Sequence, residues 1–200
     1  MLTDLAKRCV ELSFKHKLTH VSSVLNTVDL LAEIYAKRKP DEPVILGNGH
    51  AGLALYVVLE SIGMCDAEEM IAKHGVHPSR DMEHGIWCSS GSLGQAETVA
   101  VGYALADRRR TVWLVTSDGA CAEGSVWEAA RVGFHRAPNL SAWIVYNGLG
   151  AYGPIRATDL PTQYGWRIRA VSAMKYPEWL RGLAGHYLVL TEAQRDELLA

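Results

Sequence analysis

Two short segments of this chain place oxygen ligands where a divalent metal and a phosphate could be held together. The first is Ser117-Asp118-Gly119, which follows the apolar run 111–116 (TVWLVT). The second is Asn147-Gly148, which closes the run 140–146 (LSAWIVY). In open α/β sheets, ligands gather beyond the carboxyl ends of the strands. An aspartate oxygen, an asparagine oxygen and a backbone carbonyl would there suit Mg²⁺ (or Ca²⁺), with two phosphate oxygens and a water completing the shell. Gly119 lets backbone come close to a ligand, and a helix opening after Gly124 could aim free N–H groups at an anion. Asp-Gly and Asn-Gly are also common turn dipeptides, and each pair taken alone reads as a turn. Their placement at the ends of consecutive core strands favours a ligand site.

The elements that must position these residues follow from the spacing of apolar side chains. Between the two runs, 125–136 reads as a helix, so strand, helix and strand form a βαβ unit with parallel strands. Further strands are expected at 166–171 and 186–190, with a helix around Trp179 between them. Upstream, Thr3 can cap a helix running to about Phe14. Val24, Val28, Leu31 and Tyr35 fall at helical spacing after His20, and 51–62 and 95–106 are further helices rich in Ala and Leu. The expected fold class is α/β: a doubly wound, mostly parallel sheet with helices on both faces. No Gly-, Ser- or Pro-rich linker, repeat or low-complexity tract divides the sequence, so residues 1–200 are expected to form one domain.

Composition narrows the function classes. The formal net charge of −2 comes from 20 Lys+Arg against 22 Asp+Glu, which gives no global attraction to nucleic acid or to an anionic membrane. The densest basic run, Arg108-Arg109-Arg110, reads as a solvated turn between a helix and a strand. Cys9, Cys65, Cys88 and Cys121 form no C-x-x-C pair, so neither a zinc site nor a disulfide framework is expected, and a reducing compartment fits. No run approaches the ~20 apolar residues that span a bilayer, and the N-terminus has no signal-peptide pattern. The expectation is a cytoplasmic protein that engages neither nucleic acid nor membrane.

The segment S-D-G-A-C-A-E-G (117–124), followed by V-Y-N-G-L-G from Val145, resembles the diphosphate-and-metal motif of thiamine-diphosphate enzymes. Asp118 and Asn147 span 30 residues counted inclusively, the spacing of that motif. Upstream segments are similar to the transketolase family in particular. L-T-H-V-S-S (18–23) carries His20, G-N-G-H-A-G-L-A-L-Y (47–56) carries His50, and His77-Pro78 precedes G-S-L-G-Q (91–95). Y-G-W (164–166) recurs at the family's next strand. The resemblance covers roughly residues 15 to 170, in order and with compatible spacing.

This resemblance implies roles residue by residue. Asp118, Asn147 and the carbonyl of Leu149 would bind Mg²⁺, and Gly119 would lie against the diphosphate, as would His50. Gly91, Ser92 and Leu93 would touch the cofactor. His20 would contact substrate or the cofactor-bound intermediate, and Glu123 resembles a glutamate near the interface between subunits that helps relay protons. Glu123 could instead simply start the following helix, where acids are favoured. His77 could serve a ligand or only shape its loop. His84 lies near the cofactor-approaching segment but at no matched position. His16, His74, His135 and His186 carry no motif and read as structural or exposed.

Departures from the family pattern matter too. Ser117 stands for the first glycine of G-D-G, Ala96 follows Gln95 where glycine is common, and Val21 follows His20 where larger members carry proline. A later substrate-facing histidine is unmatched, and so is the glutamate that activates the aminopyrimidine. The expectation is therefore the N-terminal subunit of a split transketolase. Its partner would be a C-terminal subunit carrying the pyrimidine-binding domain, in an α2β2 heterotetramer. The reaction would move a two-carbon ketol unit between a ketose and an aldose. The alternatives are acyl transfer from a keto acid and a non-catalytic subunit that stabilises or regulates a homologue.

Overall fold

The structure, a computed structural model, describes residues 2–172 and 175–200. Two compact units share the chain. One comprises Met1–Ala36, His50–His77 and Ala173–Ala200, and the other Lys37–Gly49 and Pro78–Ser172.

The second unit holds a four-stranded parallel sheet in the order β1-β2-β3-β4. Its strands are β1 (Val44–Leu46), β2 (Val112–Ser117), β3 (Leu140–Tyr146) and β4 (Arg167–Ala170). Apolar, largely β-branched runs make β2 and β3 good strands because side chains covered on both faces need no polar alternation. The register pairs Ser117 with Val145, so the ends of β2 and β3 leave the sheet together.

Two helices of this unit alternate with the strands, α5 (Gln95–Ala106) before β2 and α6 (Gly124–Arg136) before β3. Buried Ala96, Ala100 and Ala104 on α5 share the core with Ala130 on α6 and with Ile45, Leu114 and Ile144 of the sheet. Small residues at this seam let the two helices approach closely. The turn before β2 is pinned by Asn139, whose Nδ2 donates to the carbonyls of Ala104, Asp107 and Arg110 at 2.8–3.1 Å. Arg109 within it is exposed and pairs with Asp107, in keeping with a solvated turn.

The first unit is helical: α1 (Asp4–Lys15), α2 (Val21–Lys37), α3 (Gly52–Ser61), α4 (Ala67–His74), α7 (Gly182–His186) and α8 (Glu192–Leu199). Thr3 caps α1 by accepting from the Ala6 N–H. Thr191 and Gln194 form a reciprocal capping box at α8. Nearly all of α3 is buried, as its unbroken apolar sequence requires.

The parallel sheet with helices around it fits the expected doubly wound α/β class. The helices expected over 3–14, after His20, over 51–62, 95–106 and 125–136 all form, as do three of the four expected strands. β1, α4 and α8 lie outside those expectations, because a three-residue strand and two eight-residue helices are too short to show a period. The expected strand at 186–190 does not exist. His186 instead ends α7, and 187–190 carry no strand. The apolar run there is overridden by a fold-back at Gly185, where an added Cβ would lie 2.3 Å from the Leu180 carbonyl carbon. Only glycine fits so close to backbone. The helix expected around Trp179 is a single 3-10 turn, Glu178–Leu180.

Ile144 is fully buried at the centre of β3. Truncating it to alanine is expected to cost about 3 kcal/mol, the usual range for opening a cavity of that size. Urea unfolding followed by tryptophan fluorescence measures this cost.

Candidate functional site

The edge where β2 and β3 end is organised by one carboxylate. Asp118 is buried, and its Oδ2 accepts from the N–H groups of Asn147 (2.9 Å) and Gly148 (2.8 Å). Its Oδ1 accepts from the Gly119 N–H at 2.9 Å. Burial pushes the Asp118 carboxyl above the usual carboxylate range, while these backbone donors pull it back down. Asn147 Oδ1 accepts from the Leu149 N–H at 3.0 Å, which shapes the turn into the following loop. Asp118 Oδ1 and Asn147 Oδ1 each accept one bond and retain a lone pair for a further partner.

The structure thus brings Asp118, Gly119, Asn147 and Leu149 to one edge. Gly148 (φ 82°) and Gly150 (φ 63°) carry the loop through the left-handed region. A Cβ on Gly119 would sit 3.6 Å from the Ala151 amide nitrogen, so this glycine lies against the same loop. Ser117 helps hold the turn that follows, its Oγ accepting from the Ala120 N–H at 3.3 Å. That bond gives the serine a local purpose at the position where the motif has glycine. An all-oxygen donor set of carboxylate, amide and backbone carbonyl matches the preferences of a hard cation such as Mg²⁺.

The segment Gly91-Ser92-Leu93 belongs to this unit as well. An added Cβ on Gly49 would meet the Gly91 nitrogen at 2.4 Å, so the two backbones touch. At the other end of the segment, the Ser125 hydroxyl of α6 donates to the Gly94 carbonyl at 3.0 Å. Ser92 is exposed and Leu93 half-buried. Glu123 stands at the start of α6 but makes no side-chain cap; its Oε1 instead accepts from the exposed Tyr152 hydroxyl at 3.1 Å. Its carboxylate therefore serves something other than capping.

The first unit gathers its histidines. The rings of His20 and His50 lie 5.3 Å apart, and that of His77 is 6.4 Å from His20. His186 joins them, with its ring 4.4 Å from His20 and 5.3 Å from His50. Thr19 Oγ1 hydrogen-bonds His20 Nδ1 at 2.7 Å. Burial, then repulsion from neighbouring imidazoles, pushes His20 down to about 4 and His50 down to about 3. His186 is also lowered by burial. His20 is strained as well: its φ of 66° is one that a side-chain-bearing residue seldom adopts.

His186, expected to be structural or exposed, is half-buried within this cluster. No linear motif marks it, because α7 returns it to the cluster by a tertiary fold-back. Glu97 escapes sequence reasoning too. It is fully buried, burial raises its carboxyl pKa, and it accepts from the Thr116 hydroxyl of β2. An acid in an alanine-rich helix is the available signal. His84 pairs with Asp81 at 2.9 Å, and with Glu83 these residues bring three ligand atoms within 4.8 Å of one another. Among the described residues no helix is long and apolar enough to cross a membrane.

No family model matches the chain. It is 28% identical to one of the separately named chains of the apulose-4-phosphate transketolase of Phocaeicola vulgatus, over 88% of this chain and 72% of that protein. It is 32% identical to the 6-deoxy-6-sulfo-D-fructose transketolase subunit SqwG of a Clostridium species, over 76% of this chain and 66% of that protein. With a transketolase of Cereibacter sphaeroides the identity is 28%, over 59% of this chain and only 21% of the longer protein. An α/β chain with a parallel sheet, aligned with such proteins over most of its length, is of the transketolase architecture. The chain belongs to the transketolase family and aligns with members that are named as single subunits.

The depressed histidines fix a sign for stability against pH. An imidazole whose folded pKa lies below its unfolded value binds protons preferentially in the unfolded chain, so its contribution is intact above about 6.5 and is lost as pH falls. For His20 and His50 the loss extends down toward about 4 and about 3. The melting temperature is expected to fall on acidification from pH 7 to about 5, and to fall less in His50→Phe, in a pH series of thermal melts.

Proposed function

We propose that this chain is the cofactor-holding subunit of a split, thiamine-diphosphate-dependent transketolase. The observation that carries the reading is the bridging of β2 and β3 by Asp118, which holds the Asn147–Leu149 turn beside it. In this reading Asp118, Asn147 and the Leu149 carbonyl hold Mg²⁺ (or Ca²⁺). Gly119 and the loop of Gly91, Ser92 and Leu93 hold the diphosphate. When bound, thiamine diphosphate supplies a carbon nucleophile and an electron sink.

The remaining work falls to the chain's own groups. Neutral His20 offers its Nε2 to a substrate oxygen, with Thr19 holding Nδ1 and so fixing its ring. The close approach of Gly91 to Gly49 and the bond from Ser125 of α6 to the Gly94 carbonyl tether the cofactor loop at both ends. Glu123, turned away from capping, is free to relay protons at an interface between subunits. The reading includes a C-terminal subunit with a pyrimidine-binding domain, in an α2β2 complex, in keeping with relatives named as single subunits. Four free cysteines fit a cytoplasmic setting.

The donor is a ketose, and the two relatives named for apulose 4-phosphate and for 6-deoxy-6-sulfo-D-fructose supply the first compounds to assay. A keto-acid donor stands as the second reading, because the family's late substrate-facing histidine has no counterpart in the motif register.

The test is reconstitution with the partner subunit, thiamine diphosphate and Mg²⁺, followed by a ketol-transfer assay with these ketoses and with pyruvate. Cofactor- and metal-dependent turnover is expected. Asp118→Ala is expected to lower kcat/KM by roughly a hundredfold or more while the complex still assembles on size exclusion. Assembly without any cofactor-dependent turnover would instead indicate a stabilising or regulatory subunit.

A further inference from the structure

Glu97 is the most deeply buried carboxylic acid among the described residues, and it stands in the first turn of α5. Its Oε1 accepts from the Thr116 hydroxyl of β2, two residues before Asp118. The same carboxyl packs on the end of β1, where a Cβ on Gly47 would lie 2.5 Å from Oε1 and 2.9 Å from the Thr116 hydroxyl oxygen. Gly47 prolongs the pairing of β1 with β2 by donating its N–H to the Val115 carbonyl at 2.7 Å. Two residues further on, Gly49 lies against the backbone of Gly91. One buried hydrogen bond therefore joins the segment 91–94, which runs directly into α5, to the strand that delivers Asp118.

We propose that Glu97 is a positioning residue that clamps the loop 91–94 to the end of β2, and so sets the spacing between the two halves of the candidate cofactor edge. The inference rests on the transketolase reading above for what that edge holds. The chemistry of the clamp follows from its surroundings. An ionised carboxylate taken out of water needs a cation or several donors. Among the described residues Glu97 has a single side-chain donor, Thr116, and its buried Oε2 has none. The titratable groups that its charge would reach are the thiols of Cys88 and Cys121, both pushed up by burial, Cys121 to about 12. Cys121 in turn faces Asp118, so these neighbours add no positive charge. Glu97 therefore works as a neutral acid. An ionised group so near the edge would repel an incoming diphosphate, whereas a neutral one holds the strands without that penalty.

Three variants test the clamp. Glu97→Gln keeps the shape and an oxygen for Thr116, while Glu97→Leu and Thr116→Val each remove one end of the bond. Amide hydrogen exchange on the whole chain reads the clamp without cofactor. The Asn147 and Gly148 N–H groups, which Asp118 holds, are expected to exchange about tenfold faster in the Leu and Val variants and at the wild-type rate in Glu97→Gln. The infrared difference between wild type and Glu97→Gln at neutral pH is expected to contain the carbonyl stretch of a protonated carboxyl. In calorimetry on the assembled complex with Mg²⁺, the dissociation constant of thiamine diphosphate is expected to rise about tenfold in the Leu and Val variants. It should rise no further in the double variant, because both changes remove one bond, and should stay within about threefold in Glu97→Gln.

Wild-type exchange rates or unchanged cofactor affinity in Thr116→Val would overturn the proposal. So would a Gln variant as impaired as Leu, additive losses in the double variant, or an ionised carboxylate in the infrared difference. A wild-type complex that binds no thiamine diphosphate, while the exchange and infrared results come out as expected, would fault the transketolase reading and leave the clamp standing.

Discussion

The candidate cofactor edge depends on a buried carboxylate bridging two parallel strands. Asp118 leaves β2 where Asn147 leaves β3, and Oδ2 takes both N–H groups of the turn that follows. A parallel pair cannot be joined by a tight hairpin, so its two carboxyl ends need some other device to hold them in register. The carboxylate supplies that device. It also explains why the acid tolerates burial: backbone donors offset part of the desolvation that would otherwise neutralise it. The same geometry that satisfies the turn leaves lone pairs on Asp118 and Asn147 facing a common edge.

A second constraint operates in the helical unit, where histidines rather than carboxylates are concentrated. Closely packed imidazoles disfavour protonation, and His20 adds backbone strain held by its hydrogen bond to the His186 carbonyl. Strained residues persist only when their surroundings over-determine them, and they concentrate at working sites. The two units thus carry chemically different equipment: hard oxygen ligands in one, neutral nitrogen donors and acceptors in the other.

Much of this was legible in the sequence where the signal is local. Asp118-Gly119 and Asn147-Gly148 could be placed at strand ends because β2 and β3 are apolar runs, and α5 because it is rich in alanine. The cluster of His20, His50 and His77 was legible only through the motifs that surround them. His186 was not legible, since its place depends on a fold-back at Gly185 rather than on a spacing. The apolar run after it, Tyr187 to Leu190, mimicked a strand, and tertiary packing overrode it. Short elements such as β1 and α4 escaped for the simpler reason that three or eight residues show no period. The departure at Ser117 is a small one in the sequence, and its hydroxyl holds the turn after Asp118.

The central claim is that the oxygen ligands at the ends of β2 and β3 hold a metal together with the cofactor's diphosphate. Calorimetric titration of thiamine diphosphate into the assembled complex, with and without Mg²⁺, tests it most directly. Saturable binding that needs the metal, and that is lost in both Asp118→Ala and Asn147→Ala, is the result this account requires. Binding that is indifferent to the metal, or that survives in both variants, would contradict it.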